Sequence, residues 1–537
     1  MLKMALKPKA LYSIEFQDYN LMMPNRITDI LFQLIHSLEK AEKRNFKLYI
    51  KRNSAMQDLK IIELFDALDK LNIYDEVLLL KKLKSIKKPQ LANTKAHLYR
   101  QLLASLRIIK STESIDMQLH EQLDYARILY NKGLYLQSLK ILEKLKELAV
   151  NYYQDSFLIQ AISLEKKIET LHITRSMENR AERLAAEANE VNEKRRIITR
   201  LSNLALRLYS WYIKNGHARN EKEEAGVKKY FDEHLPAGSD KQTGFYERLY
   251  LYQSYTWLAF IQQDFLRYYR YTQKWVSLFD DHQFMIEVEP GHYIKGMHNL
   301  MNAHFDLRNY KKFNETLIHF EKFCASPVAH QHDNNRIQAF VYLTSATLNK
   351  HIITGSFAEG LLKVEDIENK LVEYALYLDR HRVLVFNYKI AILHFGAGNF
   401  SNCIDYLRKI INDHVDLRTD LQCYARLLHL MAHYELGNVD IMEHLIKSVY
   451  RFMARMENLT VIEEEMFKFL KSSFYVPARK LQPGFEVFLH KIKQFENSRF
   501  ETRSFAYLDI VSWLEGKVYN KPMSKILEEK YLKSNRR

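Results

Sequence analysis

Residues 394–407 read HFGAGNFSNCIDYL, and residues 433–446 read HYELGNVDIMEHLI. Each sets down a His, an aromatic residue, two further residues and then Gly-Asn. With Gly398 and Gly437 as anchors, an apolar residue follows two places on (Phe400, Val439) and an aromatic precedes by three (Phe395, Tyr434). The same signature fits KHIITGSFAEGLL at Gly355, AHFDLRNYKKF at Arg308, AFIQQDFLRYY at Gln263 and ILYNKGLYLQSL at Gly133. It fits LYSWYIKNGHARN at Gly216 more loosely, and the gap between 133 and 216 leaves room for one more unit near Ser176. A fixed self-similarity of this kind is the mark of a repeat architecture.

The anchors lie 39 to 47 residues apart, and apolar positions flank each at three- and four-residue intervals. Each unit therefore reads as helix, tight turn, helix. One hairpin cannot bury its apolar faces alone, so neighbours must stack.

The pattern resembles the tetratricopeptide repeat. In ARILYNKGLYLQSLKIL the small Ala126, Tyr130, Gly133, Tyr135, the small Ser138 and Leu142 stand at that family's spacings, and Ala391, Phe395, Gly398, Phe400, Cys403 and Leu407 repeat the set. The resemblance covers about 118–455; the units exceed the family's 34 residues, and its Trp and terminal Pro are mostly missing. It implies an all-α, right-handed solenoid of stacked hairpins. It also implies that the first helices line a concave groove for an extended peptide or a partner helix. Carried over by position, the slot three before the anchor gives Phe260, Phe305, Ile352, Phe395 and Tyr434; the slot six before gives Trp257, Asn302, Asn349, Ile392 and Met431. An Asn in the latter slot can hydrogen-bond a peptide backbone in the family. The cations that grip a peptide's C-terminal carboxylate are not matched, since those slots hold His298 and Ser345. The aromatic column serves equally well as core between hairpins.

Composition agrees with helices joined by short turns. The chain has 537 residues with 14 Gly and 9 Pro, about 4% against roughly 12% in average usage, while apolar residues make up 47%. Three scattered Cys give neither a disulfide framework nor zinc-finger spacing. No signal-peptide pattern and no apolar run of membrane-spanning length occurs, so a cytoplasmic protein without membrane insertion is expected.

His304, His351, His394 and His433 each stand four before an anchor, and His172 joins them if Ser176 anchors a unit. Stacked repeats hold equivalent residues roughly 8–10 Å apart or more, and metal needs its nitrogens about 2 Å from one centre, so the column reads as packing rather than a metal site. His429 and His433 lie four apart with no H-E-x-x-H and no third ligand; His330 and His332 fall in a turn. There is no phosphate loop, dinucleotide fingerprint or nucleophile elbow, hence no catalytic set, metal site or cofactor is assigned and no enzyme is expected.

Net charge is +15, of which the first 110 residues hold most: 21 Lys and Arg against 11 Asp and Glu. Lys40, Lys43, Arg44, Lys47, Lys51 and Arg52 form one basic flank, and Lys81, Lys82, Lys84, Lys87 and Lys88 another. Nucleic acid is the less favoured partner there, because acids are interspersed and no helix-turn-helix is recognisable. Residues 24–52 read as one long helix starting at Pro24, with further helices near 56–71, 74–85 and 91–109. The expected organisation is a disordered or mis-called tail, 1–22; a basic helical domain, 23–112; the repeat solenoid, 113–455; and a helical C-terminal cap, 456–537, in which Trp513 would help cover the last apolar face. The expected function is a non-enzymatic protein–protein interaction scaffold binding a peptide or partner helix. The alternative is a nucleic-acid-associated or regulatory protein using the basic domain, and a weaker one an enzyme without a recognisable motif.

Overall fold

The computed structural model describes residues 29–52, 58–110, 114–171, 179–375, 377–413, 419–457, 459–473, 476, 480–495, 498, 500–501, 505 and 507–535. The expected N-terminal tail, the helix start at Pro24, His172 and the anchor at 176 fall outside them. Every element among the described residues is helical, and none of their helices is long and apolar enough to cross a membrane. The chain divides into two compact units, Met1–Asn192 and Glu193–Arg537.

The first unit opens with α1 (Ile30–Ser37), α2 (Lys40–Arg52), α3 (Asp58–Asp69), α4 (Glu76–Lys82) and α5 (Lys88–Ile109). The single helix expected over 24–52 is thus two. Leu38 leaves the helix with ψ 136° and turns its side chain into the core, at 8% exposure. Glu42 then accepts the freed Glu39 N–H at 2.9 Å, satisfying a donor at the start of α2. Phe46, Phe65, Leu68, Leu98 and Leu102 make the core of these five helices. Next come α6 (Ile115–Asn131), α7 (Tyr135–Asn151) and α8 (Asp155–Leu171), packed in sequence around Leu123, Ala126, Leu142 and Ala161. The 36-residue α9 (Arg180–Asn215) adds Ala188 and Val191 to that cluster before it runs into the second unit.

In the second unit follow α10 (Glu221–His234), α11 (Phe245–Ile261), α12 (Phe265–Asp281), α13 (Pro290–Asp306), α14 (Tyr310–Cys324) and α15 (Asp333–Thr354). After them come α16 (Phe357–Leu361), α17 (Val364–Glu373), α18 (Arg380–Gly396), α19 (Phe400–Ile411), α20 (Thr419–Glu435) and α21 (Val439–Arg455). Within hairpins α11 packs on α12, α18 on α19 and α20 on α21; between hairpins α13 packs on α15, α15 on α18 and α18 on α20.

The anchors are the residues that stop the first helix of each pair. Gly133, Gly216, Gln263, Arg308, Gly355, Gly398 and Gly437 all have positive φ, between 53° and 80°. In that left-handed conformation the next N–H turns back on the helix just ended: Asn309 donates to the His304 carbonyl at 2.8 Å, Asn399 to His394 at 2.8 Å and Asn438 to His433 at 3.2 Å. The same device at Tyr153, φ 56°, separates α7 from α8, a turn with no echo in the repeat signature. Just inside the turns, Ala126 meets Ser138, whose Oγ donates to the Ala126 carbonyl at 2.8 Å, and Ala391 and Cys403 are equally sealed from solvent. Small residues there let the two helices of a pair approach closely.

The chain ends with α22 (Val461–Ser473), α23 (Gln482–Lys493), α24 (Ile510–Val518) and α25 (Met523–Asn535). The first two continue the sequential packing after α21, but α25 reaches back to α14 and α15. Trp513 in α24 is buried and donates from Nε1 to Glu435 on α20 at 2.6 Å.

Candidate binding cavity

Five of the seven proposed partner-contacting residues, Phe260, Asn302, Phe305, Asn349 and Phe395, line one cavity of ≈ 1010 Å³ in the second unit. The other two do not reach it. Trp257 is buried against Tyr209 and Tyr212, with ring centroids 4.7 and 5.8 Å away, and Tyr434 packs beside Trp513. The aromatics at the anchor-minus-three slot thus serve as lining in some units and as core in others. The C-terminal segment forms the opposite wall, with Tyr507, Leu508, Val511, Met523 and Leu527. Tyr507 is fixed there from two sides: its carbonyl accepts from the Tyr388 hydroxyl at 3.2 Å, and its ring stacks on Tyr424 at 4.3 Å.

A polar stripe crosses three adjacent first helices. On α13 it runs Lys295, His298, Asn302, Asp306, spaced so that one helix face carries all four. On α15 it runs Tyr342, Ser345, Asn349, and on α18 Arg382 and Lys389. Lys389 Nζ donates to Asn349 Oδ1 at 2.6 Å, to Ser345 Oγ at 2.7 Å and to the Ser345 carbonyl at 3.2 Å. Burial pushes this ammonium down to about 7. His298 stacks on Tyr342 at 4.2 Å, and burial, followed by the charges of Lys389, Lys295 and Arg382, pushes it down to about 3. It is therefore a neutral imidazole. Lys295 lies over the rings of Tyr209 and Trp257 at 3.9 and 5.3 Å; burial and Arg382 lower it to about 8.

The two Asn side chains are oriented by these neighbours. Lys389 takes the Asn349 carbonyl oxygen, which leaves the amide Nδ2, a donor, without a protein partner among the described residues. Asn302 Nδ2 lies 3.0 Å from His298 Nε2, so Oδ1, an acceptor, is the free end there. One donor and one acceptor on neighbouring helices match the N–H and C=O of an extended backbone. Asp306, one turn beyond Asn302, also faces the cavity. Its carboxyl has no hydrogen-bond or ion-pair partner among the described residues, and burial alone pushes it up to about 7.

Sequence reasoning missed Asp306 and Lys389. A lone Lys inside VLVFNYKIAILHF was the one available signal for the latter, since a cation in an apolar helix run needs partners.

The His column lies in the last turn of each first helix. His304, His351, His394 and His433 are all buried, and burial lowers each below its ordinary value, His304 to about 4. His351 Nδ1 meets Ser356 Oγ at 2.9 Å and His433 Nδ1 meets Asn438 Nδ2 at 2.8 Å, each tying the helix end to the residue after the anchor. His304 instead packs at a tilt against Tyr269, and His394 stacks on Tyr406. Among the described residues no His, Cys, Asp or Glu group is arranged to hold a metal.

In the first unit, Lys40, Lys43, Arg44, Lys47 and Lys51 line a shallow concavity on α2. Lys43 and Lys47 are each paired, with Asp69 and Asp66 at 2.6 Å, whereas Lys40, Arg44, Lys51 and Arg52 have no acidic partner among the described residues. Lys81, Lys82, Lys84, Lys87 and Lys88 are exposed around the link from α4 to α5, where Glu63 accepts the Lys84 N–H.

Compared with known proteins, the chain matches no family model and no curated protein.

Proposed function

We propose that the chain is a non-enzymatic interaction scaffold of the cytoplasm. In this reading tetratricopeptide-like hairpins stack into a right-handed solenoid, and the concave side of its first helices holds an extended peptide from a partner protein. The observation that carries the reading is the pair Asn302 and Asn349. They stand in equivalent slots, open into the same cavity, and are held so that one offers an acceptor and the other a donor. Phe260, Phe305 and Phe395 supply apolar surface around them, the mix of mostly apolar walls and a few convergent polar groups typical of ligand sites. The C-terminal helices narrow the groove, which favours a short extended segment over a whole partner helix.

The test is selection of a random-sequence short-peptide library on the full-length protein, followed by affinity measurement on N302A/N349A. Losing two hydrogen bonds in a sheltered site should weaken binding by roughly ten- to a hundredfold. Selected peptides that bind the double variant as well as the parent would overturn the reading.

A further inference from the structure

We propose that the cavity takes a peptide carrying a Lys or Arg side chain, and that Asp306 together with Asn302 Oδ1 receives its cationic head. The inference rests on the reading of the cavity as a peptide site, and it names the chemistry of the peptide.

Three observations meet at this point. First, Asp306 is the last residue of α13 and lies on the cavity wall, yet none of the described residues pairs with it. A carboxyl sheltered from water is costly to leave ionised and alone, and the usual solution is an opposite charge. Second, none of the cavity's own cations pairs with Asp306: Arg308 and Lys533 line the same cavity without reaching its carboxylate, and the other three are engaged elsewhere. Lys389 is held by three acceptors on α15, and Lys493 and Lys530 both bind Glu515, each at 2.7 Å. That burial alone governs Asp306, with no lysine or arginine offsetting it, says the same. Third, the position suits a cation. Asp306 ends its helix, at the negative end of the helix dipole, and Asn302 Oδ1 stands one turn earlier on the same face. An ammonium or guanidinium with several protons can satisfy both acceptors, while its aliphatic stem lies along Phe305 and Phe260.

The experiment reads the composition of peptides selected on full-length protein and on D306N, an isosteric variant that removes the charge and keeps the volume. The expected result is a shared Lys or Arg among the winners on the parent, no such requirement on D306N, and a loss of at least tenfold in affinity when the winners are measured on D306N. Replacing the basic residue of a winner by norleucine should cost the parent a similar factor and D306N little. Free arginine and a free diamine serve as competitors; direct binding of either at millimolar concentration, read by calorimetry, with no peptide selected, would assign the cation site to a small amine and overturn the peptide assignment. Winners without a basic residue, or basic winners indifferent to D306N, would overturn the Asp306 assignment while leaving the peptide cavity intact. If nothing is selected and neither competitor binds, the peptide reading falls, and this inference with it. Circular dichroism and thermal unfolding of D306N confirm that the comparison is between folded proteins.

Discussion

Asp306 and Lys389 titrate in opposite senses, and each leaves a mark on stability. The Asp306 carboxyl sits at about 7 in the native state against 3.8 ordinarily, so between those values the folded chain keeps a proton that the unfolded chain releases. Its contribution to stability therefore falls as pH rises from about 4 to 7 and is level above. D306N removes that slope: relative to the parent it should gain roughly 3 kcal/mol between pH 4.5 and 7.5, read from urea unfolding at both values. Lys389, at about 7 against 10.5, behaves in the reverse way. Between pH 7 and 10 the unfolded chain holds the proton that the native chain has lost, so stability from this group rises with pH, and K389M should lack that rise. Equal slopes in parent and variant would show that these groups are as well solvated as surface ones. Asp306 was not legible in the sequence, and Lys389 was so only as a lone cation in an apolar helix run. Asp306 occupies no slot of the repeat signature, and its isolation depends on which cations the fold brings near it, a three-dimensional fact. Asn302 and Asn349 were legible because position in the repeat selects them, but their opposite orientations come from His298 and Lys389.

Turns, by contrast, were readable as elements. A left-handed residue ending a helix is a local event, and the Gly-Asn, Gly-Ser and Gly-His pairs announce it; Gln263 and Arg308 take the same conformation because their units share the flanking pattern. Two glycines separate backbone strain from crowding. At Gly398 an added Cβ meets nothing within 4 Å, so G398A should cost only the left-handed penalty of about 1–2 kcal/mol. At Gly355 the same atom would come 2.3 Å from the Ser524 carbonyl oxygen, so G355A should cost more and also lift α25. Limited proteolysis should then cleave near 520 in G355A and not in G398A; identical patterns would contradict the docking of α25. The break at Leu38 went unseen for a physical reason. Leu31, Leu34 and Leu38 stay in phase with one helical face, and periodicity alone cannot report a residue that leaves the helix while keeping its side chain in the core. The Glu39–Glu42 pair was the overlooked start signal.

Across the whole molecule, helical class followed from composition and repeat spacing, whereas the return of the C-terminal helices to α14, α15 and α20 did not. That return is made by contacts far apart in sequence, among them Asn314 with Tyr531 at 2.9 Å, Glu435 with both Trp513 and Lys517 at 2.6 Å, and Leu527 in the core of Leu348 and Phe357. E435A leaves a buried indole N–H and an ammonium without their acceptor, a loss of roughly 2–3 kcal/mol, visible as an earlier unfolding transition. The central claim is that a peptide lies in the cavity between Asn302 and Asn349. Its most direct test is site-specific photo-crosslinking of a selected peptide, with benzoylphenylalanine placed at Phe305 inside the cavity or at Leu362, 83% exposed, as the control. Capture from position 305, abolished by excess free peptide, with none from 362, is the result expected. Capture from neither position, while the peptide still binds, would put the binding surface elsewhere and contradict the account.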